Sequence, residues 1–130
     1  MIVIRRHDPG EVPMGRTYQC FDLEWVEGVA VARLRRGNLD EGWIDLLGDE
    51  LLRLIAAEKV RRLVISLGEM ECLYSLLLGK LLRVQRAINA VDGRLKLIDV
   101  APLAREVFAV CRLEVQFEFA PDLEAALGDW

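Results

Sequence analysis

From Phe21 to Val31 apolar residues fall at every second position: Phe21, Leu23 and Trp25 before Glu27-Gly28, then Val29 and Val31 after it. A period of two belongs to strands, whose successive side chains point to opposite faces, and a Glu-Gly pair between two such runs makes a turn. The pattern predicts a β-hairpin. The spacing then lengthens. Ile44, Leu47, Leu51, Leu54 and Ile55 form a helical stripe, with the capping oxygens of Asn38 and Asp40 ahead of it. This predicts an amphipathic helix running to about Glu58. Leu63 to Leu67 is a short, mostly apolar run, the mark of a central strand covered on both faces.

Ser75 can cap a second helix whose stripe is Leu78, Leu81, Leu82, Gln85, Ile88 and Val91, with Gly93 placed to end it. Leu95, Leu97 and Ile98 read as another strand. Pro102 opens a third helix carrying Leu103, Val107, Phe108 and Cys111, and Val115, Phe117 and Phe119 then alternate as a last strand. Asp122 to Leu127 is a short final helix. Residues 1–16 hold Pro9, Gly10, Pro13 and Gly15 with little periodicity, and read as an N-terminal arm before one domain over 17–130. Strand and helix alternate after the hairpin. The fold class is therefore α/β, with a mixed, mainly parallel sheet, an opening β-hairpin and about four helices.

Composition narrows the function classes. The 130 residues are 53% hydrophobic and 29% charged, too apolar for a disordered chain. A net charge of -4 leaves no basic field for phosphate backbone, which argues against nucleic acid as a partner. The start MIVIRR lacks the apolar stretch and cleavage site of a signal peptide, and no run approaches the ~20 apolar residues of a membrane span. The expected location is cytoplasmic. Cys20, Cys72 and Cys111 are odd in number and contain no CxxC pair, so they read as reduced thiols.

The chain carries no GxGxxG, GxxxxGK[ST], HExxH or GxSxG. Glu69 and Glu71 flank Met70 in the loop after the central strand, where solvated side chains are a simpler reading than an acid/base pair. Cys72 has no histidine near it in sequence to activate it, and the single histidine, His7, stands in the arm. No catalytic residue, cofactor or metal site is expected.

The stretch LVISLGEMECLYSLLLG, from Leu63 to Gly79, resembles the signature of STAS domains, the anti-sigma-factor-antagonist family. In that family a strand ends in Asp-Leu-Ser, and a hydrophobic loop leads to Asp-Ser-Ser-Gly-Leu-Gly at the start of a helix. Without a gap, Ser66 falls at the strand-end aspartate, Tyr74 at the second aspartate, Ser75 at the first serine and Leu76 at the phosphorylated serine. Leu77 falls at the glycine, and Leu78 and Gly79 agree. GRLKLIDV from Gly93 looks like a later family strand, and Val107-Phe108 with Arg112-Leu113 like the turn to the last strand. The resemblance runs from about Phe21 to Leu127. Leu78-Gly79-Lys80 is also similar to the helix start of a divergent bacterial subgroup without the acceptor serine.

The resemblance implies a non-enzymatic partner-switching module in bacterial signalling that binds an anti-sigma factor with a histidine-kinase-like ATPase fold. Its partner-binding residues would be Glu69, Met70, Glu71, Tyr74, Ser75, Leu76 and Leu77. Phosphorylation of the acceptor serine ends such a contact by adding negative charge to a close-packed interface. Leu76 cannot be switched in that way, and Ser75 is left as a substitute acceptor or a plain helix cap. Tyr74, Leu76 and Leu77 form either an apolar contact tip or core covered by the arm or a neighbouring loop. Two alternatives stand beside this reading: a scaffold that self-associates, for example as a homodimer, through the same tip, and a small-molecule or lipid sensor with a pocket at the carboxyl ends of the strands.

Overall fold

The computed structural model describes residues 4–6, 18–35, 40–68, 70, 75–128 and 130. In chain order the elements are β1 (Ile4–Arg6), β2 (Phe21–Val26), β3 (Val29–Leu34), α1 (Glu41–Ala57), β4 (Arg62–Ser66), α2 (Ser75–Asn89), β5 (Arg94–Ile98), α3 (Pro102–Val110), β6 (Glu118–Phe119) and α4 (Leu123–Leu127). The strands form one six-stranded sheet in sequential order. β1–β2 and β2–β3 are antiparallel, while β3–β4, β4–β5 and β5–β6 are parallel. The α/β class, the mixed sheet, the opening hairpin and the four helices are as expected. Glu27 and Gly28 both take positive φ, 51° and 81°, as a two-residue hairpin turn of matching twist requires. No helix among the described residues is long and apolar enough to cross a membrane.

The sheet is buried on both faces. Phe21, Leu23, Ala30, Ala32, Leu63, Ile65, Leu95 and Leu97 join the stripes of α1 and α2 and the Phe108 ring of α3 in the main core. Behind the sheet, Val26, Val29, Val31, Val64 and Ile98 pack under Ala126 of α4, with Leu123, Leu127 and Trp130 around them. Lys96, buried in β5, ties this second layer down: its ammonium donates to the Ala126 carbonyl at 2.8 Å and lies 4.2 Å from the centre of the Trp130 ring. A cation at the end of a helix, over an aromatic face, is favourable on both counts.

Sequence and structure differ at several ends. Ile4–Arg6 of the arm is a strand paired with β2, Ile4 opposite Val26 and Arg6 opposite Glu24, too short to show a period. The rest of the arm, with His7, and the capping candidate Asn38 lie outside the described residues. Asp40 does cap α1, accepting from the Trp43 amide at 2.8 Å. The last strand is only Glu118–Phe119. Val115 is 85% exposed in a turn, and the alternation of Phe117 and Phe119 reflects their shared edge-on packing against Phe108.

Helix termination also differs in its agent. α1, α2 and α3 each close with an amide returning to the carbonyl five residues back: Val60 to Ile55, Gly93 to Ile88, and Leu113 to Phe108. The left-handed residue in these turns is Lys59, Asp92 and Arg112, at φ 52°, 60° and 57°, rather than a glycine. Gly93 is needed for space instead. A Cβ there would lie 2.6 Å from both the Arg61 carbonyl oxygen and Ile88 Cγ1. Gly93→Ala should lower stability by about 2 kcal/mol by urea denaturation, a cost typical of overpacking; an unchanged midpoint would contradict this reading.

Candidate functional site

The candidate site lies at the carboxyl edge of the parallel strands, where β4 hands the chain to α2. Ser66 ends β4, 3% exposed. Its hydroxyl donates to Asp99 Oδ2 at 2.5 Å and accepts from the Gly68 amide at 3.3 Å. Gly68 has φ +64°, which turns the chain away from the sheet. Asp99 follows β5 and takes φ 54°, a conformation that short polar side chains tolerate best among non-glycine residues. Arg33 near the end of β3 reaches towards it, Nη1 to Oδ2 at 4.0 Å, while its Nε donates to Glu24 at 3.2 Å. The ends of three adjacent strands are thus tied by polar side chains. Ser66 stands where the resemblance expects an aspartate, and a carboxylate reaches the same place from β5.

α2 begins at Ser75, so this residue is the first helical one rather than the cap ahead of it. Ser75 is exposed and Leu76 is 37% exposed. Leu77 is fully buried and Leu78 nearly so, both within the main core. Of the two readings open for the tip, the core one holds for Leu77, which shares the inward face of α2 with Leu81, Val84 and Ile88. Met70 is half-buried against the same core. Glu69, Glu71 and Tyr74, and Cys72 with them, lie outside the described residues.

The angle at which α2 presents Leu76 is set by its crossing with α1. The stem of Lys80 lies over Gly48 so closely that a Cβ there would be 2.8 Å from Lys80 Cδ, and its ammonium pairs with Asp45 at 3.0 Å. α1 is in turn held to the hairpin by Glu50. This carboxylate is 1% exposed and accepts from the Gln19 amide at 2.8 Å and the Cys20 amide at 2.9 Å. The sequence carried a signal for it: Glu50 falls three residues after Leu47 and four before Leu54, on the apolar stripe itself. Trp130 covers the second face of the sheet with Lys96 against it.

Burial first, then the charge of Glu50 and a hydrogen bond to it, push the Cys20 thiol up to about 12, so it is protonated at neutral pH. Cys111 is exposed. Among the described residues no three His, Cys, Asp or Glu side chains gather as a metal site would need.

No family profile and no curated protein sequence matches the chain. Solved structures do. A Thermotoga maritima protein assigned as an anti-sigma factor antagonist superposes with a TM-score of 0.76 at 14% identity, over 85% of this chain and 93% of its own. An anti-sigma-factor antagonist (STAS) domain protein from Planctomyces limnophilus gives 0.68 at 23% identity, over 82% and 95%. The anti-sigma factor antagonist SpoIIAA, a Bacillus cell fate determinant, gives 27% identity in both forms. The TM-score is 0.67 unphosphorylated, over 81% and 91%, and 0.62 phosphorylated, over 81% and 95%. The chain has the STAS fold, and within it Ser66 sits between Asp99 and Gly68. Ser66→Ala should lower the unfolding free energy by about 1 kcal/mol, the usual net worth of a side-chain hydrogen bond; thermal unfolding unchanged from wild type would sink the role given to this hydroxyl.

Proposed function

We propose that this STAS-fold chain is a non-enzymatic protein-interaction domain of the anti-sigma-factor-antagonist kind. It binds a kinase-fold anti-sigma factor through the loop after β4 and the first turn of α2, and its contact is not switched at the usual site. The observation that carries the reading is the placement of Ser75 and Leu76. Both are exposed in the first turn of α2, at the carboxyl edge of a sheet shared with SpoIIAA, which occurs in phosphorylated and unphosphorylated forms. At the position matching the family's acceptor serine, this chain carries a leucine with no oxygen to phosphorylate.

Leu76, partly exposed, and Met70, half-buried, are apolar members of the proposed contact set. The core of a protein interface favours such side chains and excludes charge. Glu69, Glu71 and Tyr74 complete the proposed contact set. Ser75 is the serine that remains there, and a phosphate on it would act next to Leu76.

The test is a pull-down from native cytosol with wild type and Leu76→Asp, with mass spectrometry of the retained proteins, followed by affinities for the partner recovered. The expected outcome is a kinase-fold partner retained by wild type and bound at least about tenfold more weakly by the aspartate, a loss of ~1.4 kcal/mol or more. Leu76 is on the surface, so the variant should unfold at the wild-type temperature. Equal affinity for both proteins would refute the assigned contact. Loss of any partner together with a mass that rises with concentration would replace it with self-association.

A further inference from the structure

At the carboxyl edge of β5, between the start of α3 and the segment after β6, lies a cavity of about 480 Å³. Asp99, Val100, Pro102, Arg105, Phe119 and Pro121 are among the residues that line it. Its volume falls in the range of small-ligand sites, and open α/β sheets place such sites at this edge.

Two opposite charges line this cavity without meeting. Asp99 is fixed from behind by the Ser66 hydroxyl at 2.5 Å, on a backbone at φ 54°. The Arg105 guanidinium lies 3.9 Å from the centre of the Phe119 ring, which restricts it to one plane. Among the described residues Arg105 has no carboxylate within 4.0 Å, although Asp99 shares its cavity. Val100, Pro102, Phe119 and Pro121 line the same cavity as the two charges.

We propose that this cavity is a binding site for a small zwitterion with an apolar body, an α-amino acid or a close analogue. The ammonium group faces Asp99, the carboxylate takes the guanidinium of Arg105, and the apolar body lies against Pro102, Phe119 and Pro121. A guanidinium suits a carboxylate because its parallel N–H groups match two oxygens at once. The ligand's carboxylate gives the exposed Arg105 an anionic partner, and its ammonium adds to the contacts that Ser66 and Arg33 already make with Asp99. None of its lining residues belongs to the contact set proposed around Leu76.

The test uses the full chain, isotopically labelled, and two-dimensional amide spectra recorded with each of the twenty common L-amino acids up to ~10 mM, a ceiling set by millimolar affinities. The best binder is then compared with its N-acetyl form, which has no cation, and its amide form, which has no anion. The expected result is saturable shifts at Val100, Ala101 and Ala120, at least tenfold weaker binding of both blocked forms, and a similar loss with Arg105→Gln and with Asp99→Asn. The spectra themselves show whether each variant is folded. Arg105 is exposed, so its variant keeps the test intact should Asp99→Asn disturb Ser66. No saturable shift with any of the twenty, binding that maps elsewhere, or blocked forms that bind as well as the parent would overturn the proposal.

Discussion

The structure depends on one constraint: β4 has to be buried on both faces. Leu63 and Ile65 point into the core under α1 and α2, while Val64 points to the opposite layer, and all three are inaccessible to water. Its neighbours β3 and β5 run parallel to it, which requires crossovers outside the sheet and sends the chain from the end of β4 into α2. α2 starts at the carboxyl edge as a result. The cover on the second face is thin, a five-residue helix and Trp130, and it is held by Lys96, itself buried within β5.

Where one period ran unbroken, the sequence could be read directly. The hairpin with its Glu27-Gly28 turn, the stripes of α1 and α2 and the run at β4 all appear where the alternation places them. What escaped depends on partners distant in sequence. Glu50 reads as one more surface charge until the amides of Gln19 and Cys20 are beside it, and Lys96 as an exposed strand residue until α4 closes over it. Val115 keeps the alternation of Phe117 and Phe119 without any layer to cover it. At the candidate site the motif alignment located the start of α2, but it could not decide which leucine faced in. Leu76 and Leu77 are adjacent and equally apolar, and only the phase of the helix separates an exposed side chain from a buried one.

The departures at the site are physically connected. Ser66 is too short to replace an aspartate by itself, and it is paired with a carboxylate arriving from β5, so that the turn at Gly68 still has a hydrogen-bonded support. Where the resemblance expects a hydroxyl in the first turn of α2, Leu76 presents a branched apolar side chain. A phosphate there would bring charge to that turn; a leucine brings only surface area. On the function proposed here, the local architecture of a regulated contact is retained while the chemistry that regulates it at that position is absent. Such a contact is governed by affinity and concentration, and by whatever alters its surroundings.

The most direct measurement of this account follows the chain together with the kinase-fold partner proposed for it through prolonged incubation with ATP, reading the intact mass of the chain and the fraction that stays bound. The account predicts an unmodified mass and an undiminished complex. Addition of one phosphate at Ser75 with release of the partner would contradict it, and would show that the switch has moved by one residue.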